Sequence, residues 1–159
     1  MKALITYYSY SGHTDKVANI FAGKLKELGE VVLQRLVPKD EITSFGSQCR
    51  AAFTKKRSEL KEGVNFDASP YDLVVIGCPV WAFAPTPAMN SFLDKVNGLH
   101  GKRAIVLLTS GSGVGVKKCF RNIRVVLESK GITHVDEINI PDRKLDDTDF
   151  IISSLAKYI

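Results

Sequence analysis

The sequence predicts an α/β fold: a three-layer, doubly wound sheet of five parallel strands. Three observations predict it. Short apolar runs alternate with helix-patterned segments from one end of the chain to the other. The run at 71–77 is almost continuously apolar, the pattern of a strand covered on both faces. Gly29, Pro38, Gly131 and Pro141 punctuate the joints between runs. Alternation of this kind calls for parallel strands joined by helical crossovers, with helices on both faces.

The elements follow in order. Residues 2–8 carry β-branched and aromatic side chains in a mostly apolar run, a buried strand. Over about 14–28, Val17, Phe21, Leu25 and Leu28 recur at helical spacing, and Gly29 stands where the helix should stop. Residues 30–37 form a second strand closed by Pro38. In the long stretch before the third strand at 71–77, Ala51, Ala52, Phe53 and Leu60 place a helix near 48–60. Pro85 and Pro87 introduce a helix over 88–96, and 102–109 is a fourth strand. A helix over 116–130 ends at Gly131, and a fifth strand spans 134–140. Phe150, Ile151, Leu155 and Ile159 mark a closing helix over 146–159. No repeat, low-complexity tract or linker interrupts the chain, so 1–159 is expected to be one domain.

With 159 residues, 45% of them hydrophobic and 25% charged, the chain has the composition of an ordinary globular protein. It holds no apolar window of about 18 residues, so no membrane span is expected. It opens on a strand rather than on a secretory signal pattern, which favours the cytoplasm. Cys49, Cys78 and Cys119 are odd in number, widely spaced and without a CxxC pair, as free thiols would be, and no metal site is expected. The formal net charge is +5. Lys117, Lys118, Arg121 and Arg124 form one stretch without an acid, at spacings that share a helix face. Arg50, Lys55, Lys56, Arg57 and Lys61 form a second cluster, relieved only by Glu59. Such patches steer acidic partners or phosphorylated ligands, although a solvated helix face is the simpler reading. Without a helix-turn-helix, zinc finger or aromatic platform, nucleic acid is not an expected partner.

Ligands of open parallel sheets sit beyond the carboxyl ends of the strands, where strand order reverses. That rule selects the loops after strands one, three and four. The first reads Ser9-Tyr10-Ser11-Gly12-His13-Thr14 and runs straight into a helix. Gly12 permits a tight turn, three hydroxyls can donate, and a helix start adds free N–H groups, which together suit a phosphate. Helix capping also favours Ser, Thr and Gly, but it needs fewer of them. His13 stands beside this loop, with its side chain expected in solvent. The loop after strand three, Cys78-Pro79-Val80-Trp81-Ala82-Phe83-Ala84-Pro85-Thr86-Pro87, holds aromatics on a proline-stiffened segment. Such rings can stack on a planar ligand, a contact worth about 1 kcal/mol beyond buried area, or simply pack the loop down. The loop after strand four, Thr109-Ser110-Gly111-Ser112-Gly113-Val114-Gly115, departs from GxGxxG because its third glycine comes one residue early. It suits the wall of a flat heterocycle better than a pyrophosphate cradle, or else it is a ligand-free mobile turn.

The hydroxyl-x-hydroxyl-Gly-x-Thr pattern at 9–14 resembles the phosphate loop of the flavodoxin-like family of FMN-binding proteins. Gly77-x-Pro79-x-Trp81, followed by Pro85-x-Pro87 and Phe92-Leu93, is similar to that family's flavin-flanking loop and next helix. The resemblance implies FMN as cofactor. It implies that Ser9, Ser11, Gly12, His13 and Thr14, with Tyr10 in the same loop, hold the phosphate end. Pro79, Val80, Trp81, Ala82 and Phe83 would line one side of the isoalloxazine, and Ser110, Gly111, Ser112 and Gly113 the other. The implied activity is electron transfer through an exposed flavin edge, with no catalytic side chain, to a redox partner protein or from an NAD(P)H reductase. The alternative is an NAD(P)H-dependent oxidoreductase that reduces quinones or similar acceptors, with Lys117, Lys118 and Arg121 suited to a phosphorylated nicotinamide. The sequence leaves the oligomeric state open. Two features depart from the family: no aromatic stands between Thr109 and Lys118, and the chain is basic where electron-carrier flavodoxins tend to be acidic. A phosphorylation-dependent signalling receiver of similar architecture is not expected, because strand three ends Ile76-Gly77-Cys78 without an acceptor carboxylate.

Overall fold

The strands are β1 (Lys2–Tyr7), β2 (Glu30–Arg35), β3 (Leu73–Pro79), β4 (Arg103–Ser110) and β5 (His134–Pro141). The helices are α1 (His13–Lys26), α2 (Phe45–Phe53), α3 (Pro87–Lys95), α4 (Val116–Ser129) and α5 (Thr148–Ala156), with a 3-10 turn at Asp142–Lys144. The structure, a computed structural model, describes residues 1–41, 44–54 and 56–158. All strand pairs are parallel, in the order β2-β1-β3-β4-β5, so the expected doubly wound five-stranded sheet is the observed one.

The chain leaves β1 toward β2 on one side and reaches β3 on the other, which puts the reversal of strand order between β1 and β3. Neighbouring crossovers on opposite sides of this point leave a crevice at the carboxyl edge. Tyr7 marks the edge, in register with Arg35 on one neighbour and Gly77 on the other.

Two apolar layers hold the helices to the sheet. On one face Val17, Phe21 and Leu25 of α1 and Ile151 and Leu155 of α5 pack on Ile5, Val75 and Ile105. On the other, Met89, Phe92 and Leu93 of α3 and Cys119, Ile123 and Leu127 of α4 pack on Val74, Ile76, Val106 and Leu108. Each buried aliphatic or aromatic side chain contributes about 1.5–3 kcal/mol relative to exposure. The six residues from Leu73 to Cys78 are all buried, which explains why β3 lacks a polar alternation.

The expected helix near 48–60 is displaced. α2 starts at Phe45 and ends at Phe53, where the Thr54 hydroxyl donates to the Arg50 carbonyl at 2.9 Å. Beyond it the polar run Lys56-Arg57-Ser58-Glu59 offers no apolar stripe, and it bonds to α3 instead. Ser58 exchanges backbone bonds with the Ser91 hydroxyl at 2.9 and 2.6 Å, and Arg57 grips Asp94 at 2.7 and 2.9 Å. Leu60 then pairs with Pro38 in an isolated bridge. Lys55 of the second basic cluster lies outside the described residues. Pro87 opens α3 at its first position, with Thr86 Oγ1 accepting from the Met89 amide at 3.4 Å. Asp147 caps α5 through the Phe150 amide at 2.9 Å, which starts that helix later than expected; Ile159 is outside the described residues. Among the described residues, no helix is long and apolar enough to cross a membrane.

Candidate cofactor site

The crevice at the carboxyl edge is a cleft of about 410 Å³. Tyr10, Ser11 and His13 line it from the loop after β1, Pro79, Val80 and Trp81 from the end of β3, and Ser110, Gly111 and Ser112 from the end of β4. Thus three separate stretches singled out in the sequence meet around one space. Ser9, Gly12, Thr14, Ala82, Phe83 and Gly113 do not reach its wall. The structure adds Gln48, Thr109 and Asp142.

The first loop runs into a helix start that no side chain caps. Gly12 takes φ +89° at the N-cap of α1. A Cβ at Gly12 would meet nothing within 4 Å, so the backbone conformation, not crowding, calls for glycine. Among the described residues, the Ser9 hydroxyl oxygen is buried without a hydrogen-bond partner. A buried hydroxyl left unpaired costs about 1–3 kcal/mol, so such a group in a natural fold calls for an explanation, and a ligand is one. Behind the loop, Arg35 Nη2 donates to the Ser9 carbonyl at 3.1 Å, and Arg35 Nη1 stands 3.7 Å from Asp15. Tyr7 donates its phenol to the same Asp15 at 2.6 Å; burial and then this bond push the phenol up to about 12.

Thr14, unlike Ser9, has a hydrogen-bond partner within the fold. Its hydroxyl is buried and lies 2.8 Å from the hydroxyl of Thr109, tying the start of α1 to the end of β4. At the same end, the Ser110 hydroxyl donates to Asn139 Oδ1 at 2.9 Å. His13 Nδ1 stands 3.2 Å from Asp142, an ion pair across the cleft mouth when the imidazole is protonated. A Cβ at Gly111 would stand 3.5 Å from the Asp142 carboxylate, so the β4 loop and the 3-10 turn after β5 touch here.

The aromatic loop is built on an unusual turn. Trp81 and Ala84 exchange backbone hydrogen bonds at 3.1 and 3.0 Å, and the two residues between them, Ala82 and Phe83, have φ of +45° and +69°. A two-residue turn with both φ positive normally takes Asn and Gly, so Ala and Phe here hold a strained backbone. The turn sends its rings in different directions. Trp81 is 9% exposed and meets Tyr8 and Tyr10 edge to face, at centroid distances of 5.7 and 6.0 Å. Phe83 is 42% exposed and lies over Gly115, with Lys118 Nζ 5.8 Å from its centroid. The β4 loop has no aromatic, but Tyr10 of the first loop stands at the cleft, 43% exposed.

Comparison with known proteins matches residues 2–140 to the family model described as Flavodoxin. The chain belongs to the flavodoxin family. Solved structures agree with this fold. A flavoprotein from Lactobacillus acidophilus NCFM, solved in complex with FMN, is 21% identical with a TM-score of 0.70, over 93% of this chain and 98% of its own. A putative flavoprotein from Bacteroides uniformis is 20% identical with a TM-score of 0.75, over 96% and 97%. An NADH:FMN oxidoreductase in its apo form is 18% identical with a TM-score of 0.68, over 99% and 86%. As a flavodoxin, the protein has its cleft where the fold places ligands, at the reversal between β1 and β3.

Sequence reasoning missed four contributors to this flavodoxin cleft. Asp142 follows β5, an element outside the three loops chosen by the reversal rule, although its place directly after a strand end was a usable signal. Thr109 was read as the junction of the fourth strand and its loop, without a place of its own in the site. Gln48 reaches the cleft from α2, whose position depends on contacts invisible in sequence. Arg35 acts from behind, and only the strand register brings it to Ser9.

Proposed function

We propose that this flavodoxin is an electron carrier that holds FMN in the cleft and exchanges electrons through the flavin's exposed edge. Membership of the flavodoxin family assigns FMN as the cofactor. The observation that carries the site assignment is the buried, unpartnered Ser9 hydroxyl beside an uncapped α1 N-terminus. Those groups fit a phosphate monoester: neutral donors surround the anion, the helix start adds its positive end, and Arg35 contributes positive charge from behind the loop. The flavin, when bound, supplies the redox chemistry by taking up and releasing one or two electrons at its ring system.

The remaining roles belong to the chain. Ser11 and the first amides of α1 bind the phosphate from the cleft wall, and Ser9, buried in the same loop, supplies a further donor from behind them. Thr14 and Thr109 fix that loop against β4 by their 2.8 Å contact. Pro79, Val80 and Trp81 form an apolar wall against water on one side of the ring, and Ser110, Gly111 and Ser112 form a thin polar wall on the other. Asp142 and His13 close the mouth. The chain acts as one FMN-binding domain over 1–159, in the cytoplasm.

The test is FMN titration followed by flavin fluorescence, with the Ser9→Ala/Ser11→Ala variant beside the wild type. Wild type retains FMN through desalting, and the variant binds at least about tenfold more weakly, as loss of bonds to a charged group requires. Stability of the cofactor-free variant does not fall below wild type, since the Ser9 hydroxyl has no partner to lose and its unpaired burial is itself a cost. Unchanged FMN affinity would remove the phosphate-loop assignment. A second reading, direct oxidation of NADH or NADPH with reduction of a quinone, is favoured by the low, aromatic-free β4 loop, which leaves one side of the cleft accessible. Steady consumption of NADPH by the FMN-loaded protein without an added reductase would select it over the carrier.

A further inference from the structure

We infer that the surface formed by Phe83, Val114 and the first turns of α4 docks an acidic protein partner. Two kinds of side chain meet there. Phe83, Val114 and Val125 are 42%, 64% and 59% exposed, large apolar groups left in solvent. Lys117, Lys118 and Arg121 stand among them, and no carboxylate pairs with any of the three among the described residues. Two acids on neighbouring elements are already occupied. Asp94, beside Arg121 and Val125 in the groove between α3 and α4, is held by Arg57 at 2.7 Å. Glu137 holds the next base of the helix, Arg124, at 2.6 Å.

The cations also stand at the helix end where they stabilise the free protein least. Lys117 and Lys118 occupy the first turn of α4, beside the positive end of its dipole, and that turn has neither an acid nor a side-chain cap. Their fields add to that of the helix, so the patch is more positive than its three charges alone. A carboxylate-bearing surface neutralises all of these together. Spacings of three and four residues put Lys118, Arg121 and Val125 along one stripe, and Phe83 continues it through its contact with Lys118. Aromatic, aliphatic and Arg side chains interleaved in this way are the composition of a protein interface core. Valines offer no stacking surface to nucleic acid bases, which favours a protein over RNA as the occupant.

The surface begins at the cleft rim, because Phe83 lies in the strained turn that the cleft-lining Trp81 opens. That a docked partner thereby reaches the flavin rests on the FMN reading; the docking itself does not.

The test is a calorimetric titration of the FMN-loaded protein with an acidic plant-type ferredoxin, at low and at physiological ionic strength. Basic cytochrome c and a single-stranded oligonucleotide are titrated in parallel. The expected result is ferredoxin binding that weakens steeply with salt, with less affinity for the other two probes. The variant Lys117→Glu/Lys118→Glu/Arg121→Glu should bind ferredoxin at least about tenfold more weakly and gain affinity for cytochrome c. Val114→Ser should weaken binding without changing the salt dependence. Absence of ferredoxin binding at low salt, equal binding by the triple variant, or tighter binding of the oligonucleotide would each overturn the proposal. Circular dichroism confirms folding of each variant. Flavin absorbance reports FMN retention separately, so loss of the FMN reading and loss of the docking surface are seen as different results.

Discussion

Thr14 and Thr109, 95 residues apart in the chain, meet hydroxyl to hydroxyl at 2.8 Å, both buried where the start of α1 meets the end of β4. Each is the other's partner, so removing one strands the second in a place that water does not reach. Thr109→Val should cost about 1–3 kcal/mol of unfolding free energy, and Thr14→Val/Thr109→Val should recover much of that loss. Urea unfolding of the four cofactor-free proteins measures the cycle. Strictly additive losses would mean that the two hydroxyls do not support each other.

Trp81 and Phe83, two residues apart, should respond very unequally to truncation. Trp81 is buried against Tyr8 and Tyr10, so Trp81→Ala should lower stability by about 3–5 kcal/mol and weaken FMN binding as the wall collapses. Phe83 is exposed, and Phe83→Ala should change stability by less than about 1 kcal/mol. Thermal melts with and without FMN distinguish the two. A larger loss from Phe83→Ala would contradict the burial of the tryptophan.

Gly115 answers to two constraints at once. Its φ is +84°, and a Cβ there would stand 2.6 Å from the Phe83 ring and 2.9 Å from the Phe83 backbone. Gly115→Ala should therefore cost more than the 1–2 kcal/mol that a left-handed alanine alone requires. In a Phe83→Ala background part of the excess should vanish, because the ring contact is gone and only the backbone contact remains. The comparison is made by urea unfolding of the four proteins. An identical cost in both backgrounds would show that the ring does not rest on Gly115.

Stability should fall in alkaline solution through Tyr7. Its phenol, raised to about 12 by burial and by its bond to Asp15, sits at about 10 in the unfolded chain. Between those values the native protein retains a proton that the unfolded chain has released, so unfolding becomes easier as pH rises. The contribution is complete below about pH 10. Tyr8, raised by burial and by its 2.6 Å bond to Glu41, acts in the same direction. Tyr7→Phe should flatten the dependence of urea midpoint on pH between about 10 and 12, while leaving Tyr8's share. An unaltered slope would place the titration elsewhere.

The fold was legible because its signals are local. The apolar run of β3, the helical spacing of Val17, Phe21 and Leu25, and the stops at Gly29 and Gly131 each report a buried face or a terminus within a few residues. α2 was misplaced because its end depends on long-range bonds, Ser58 to Ser91 and Arg57 to Asp94, that no local pattern announces. At the cleft, the three loops were recognisable by composition, but the division of labour inside them was not. Thr14 reads like Ser9 and Ser11 in sequence, and only its contact across to β4 separates a bracing hydroxyl from an unpaired one. Likewise Trp81 and Phe83 look equivalent until the turn that holds Ala82 and Phe83 sends one ring inward and the other out. Asp142 and Gln48 enter through strand order and helix placement, which are properties of the assembled sheet.

The cleft draws on Ser11 near the start of the chain and on Asp142 near its end, with Gln48, Trp81 and Ser110 between them. No contiguous segment owns more than one wall. A truncated or partly folded chain therefore has nothing to close around a ligand, and binding energy can be collected only by finished molecules. FMN present in excess would then deepen the native well by mass action without stabilising any precursor. In practice the yellow colour of a preparation would count correctly folded copies, one cofactor at a time, and a destabilised variant could be rescued simply by supplying more FMN.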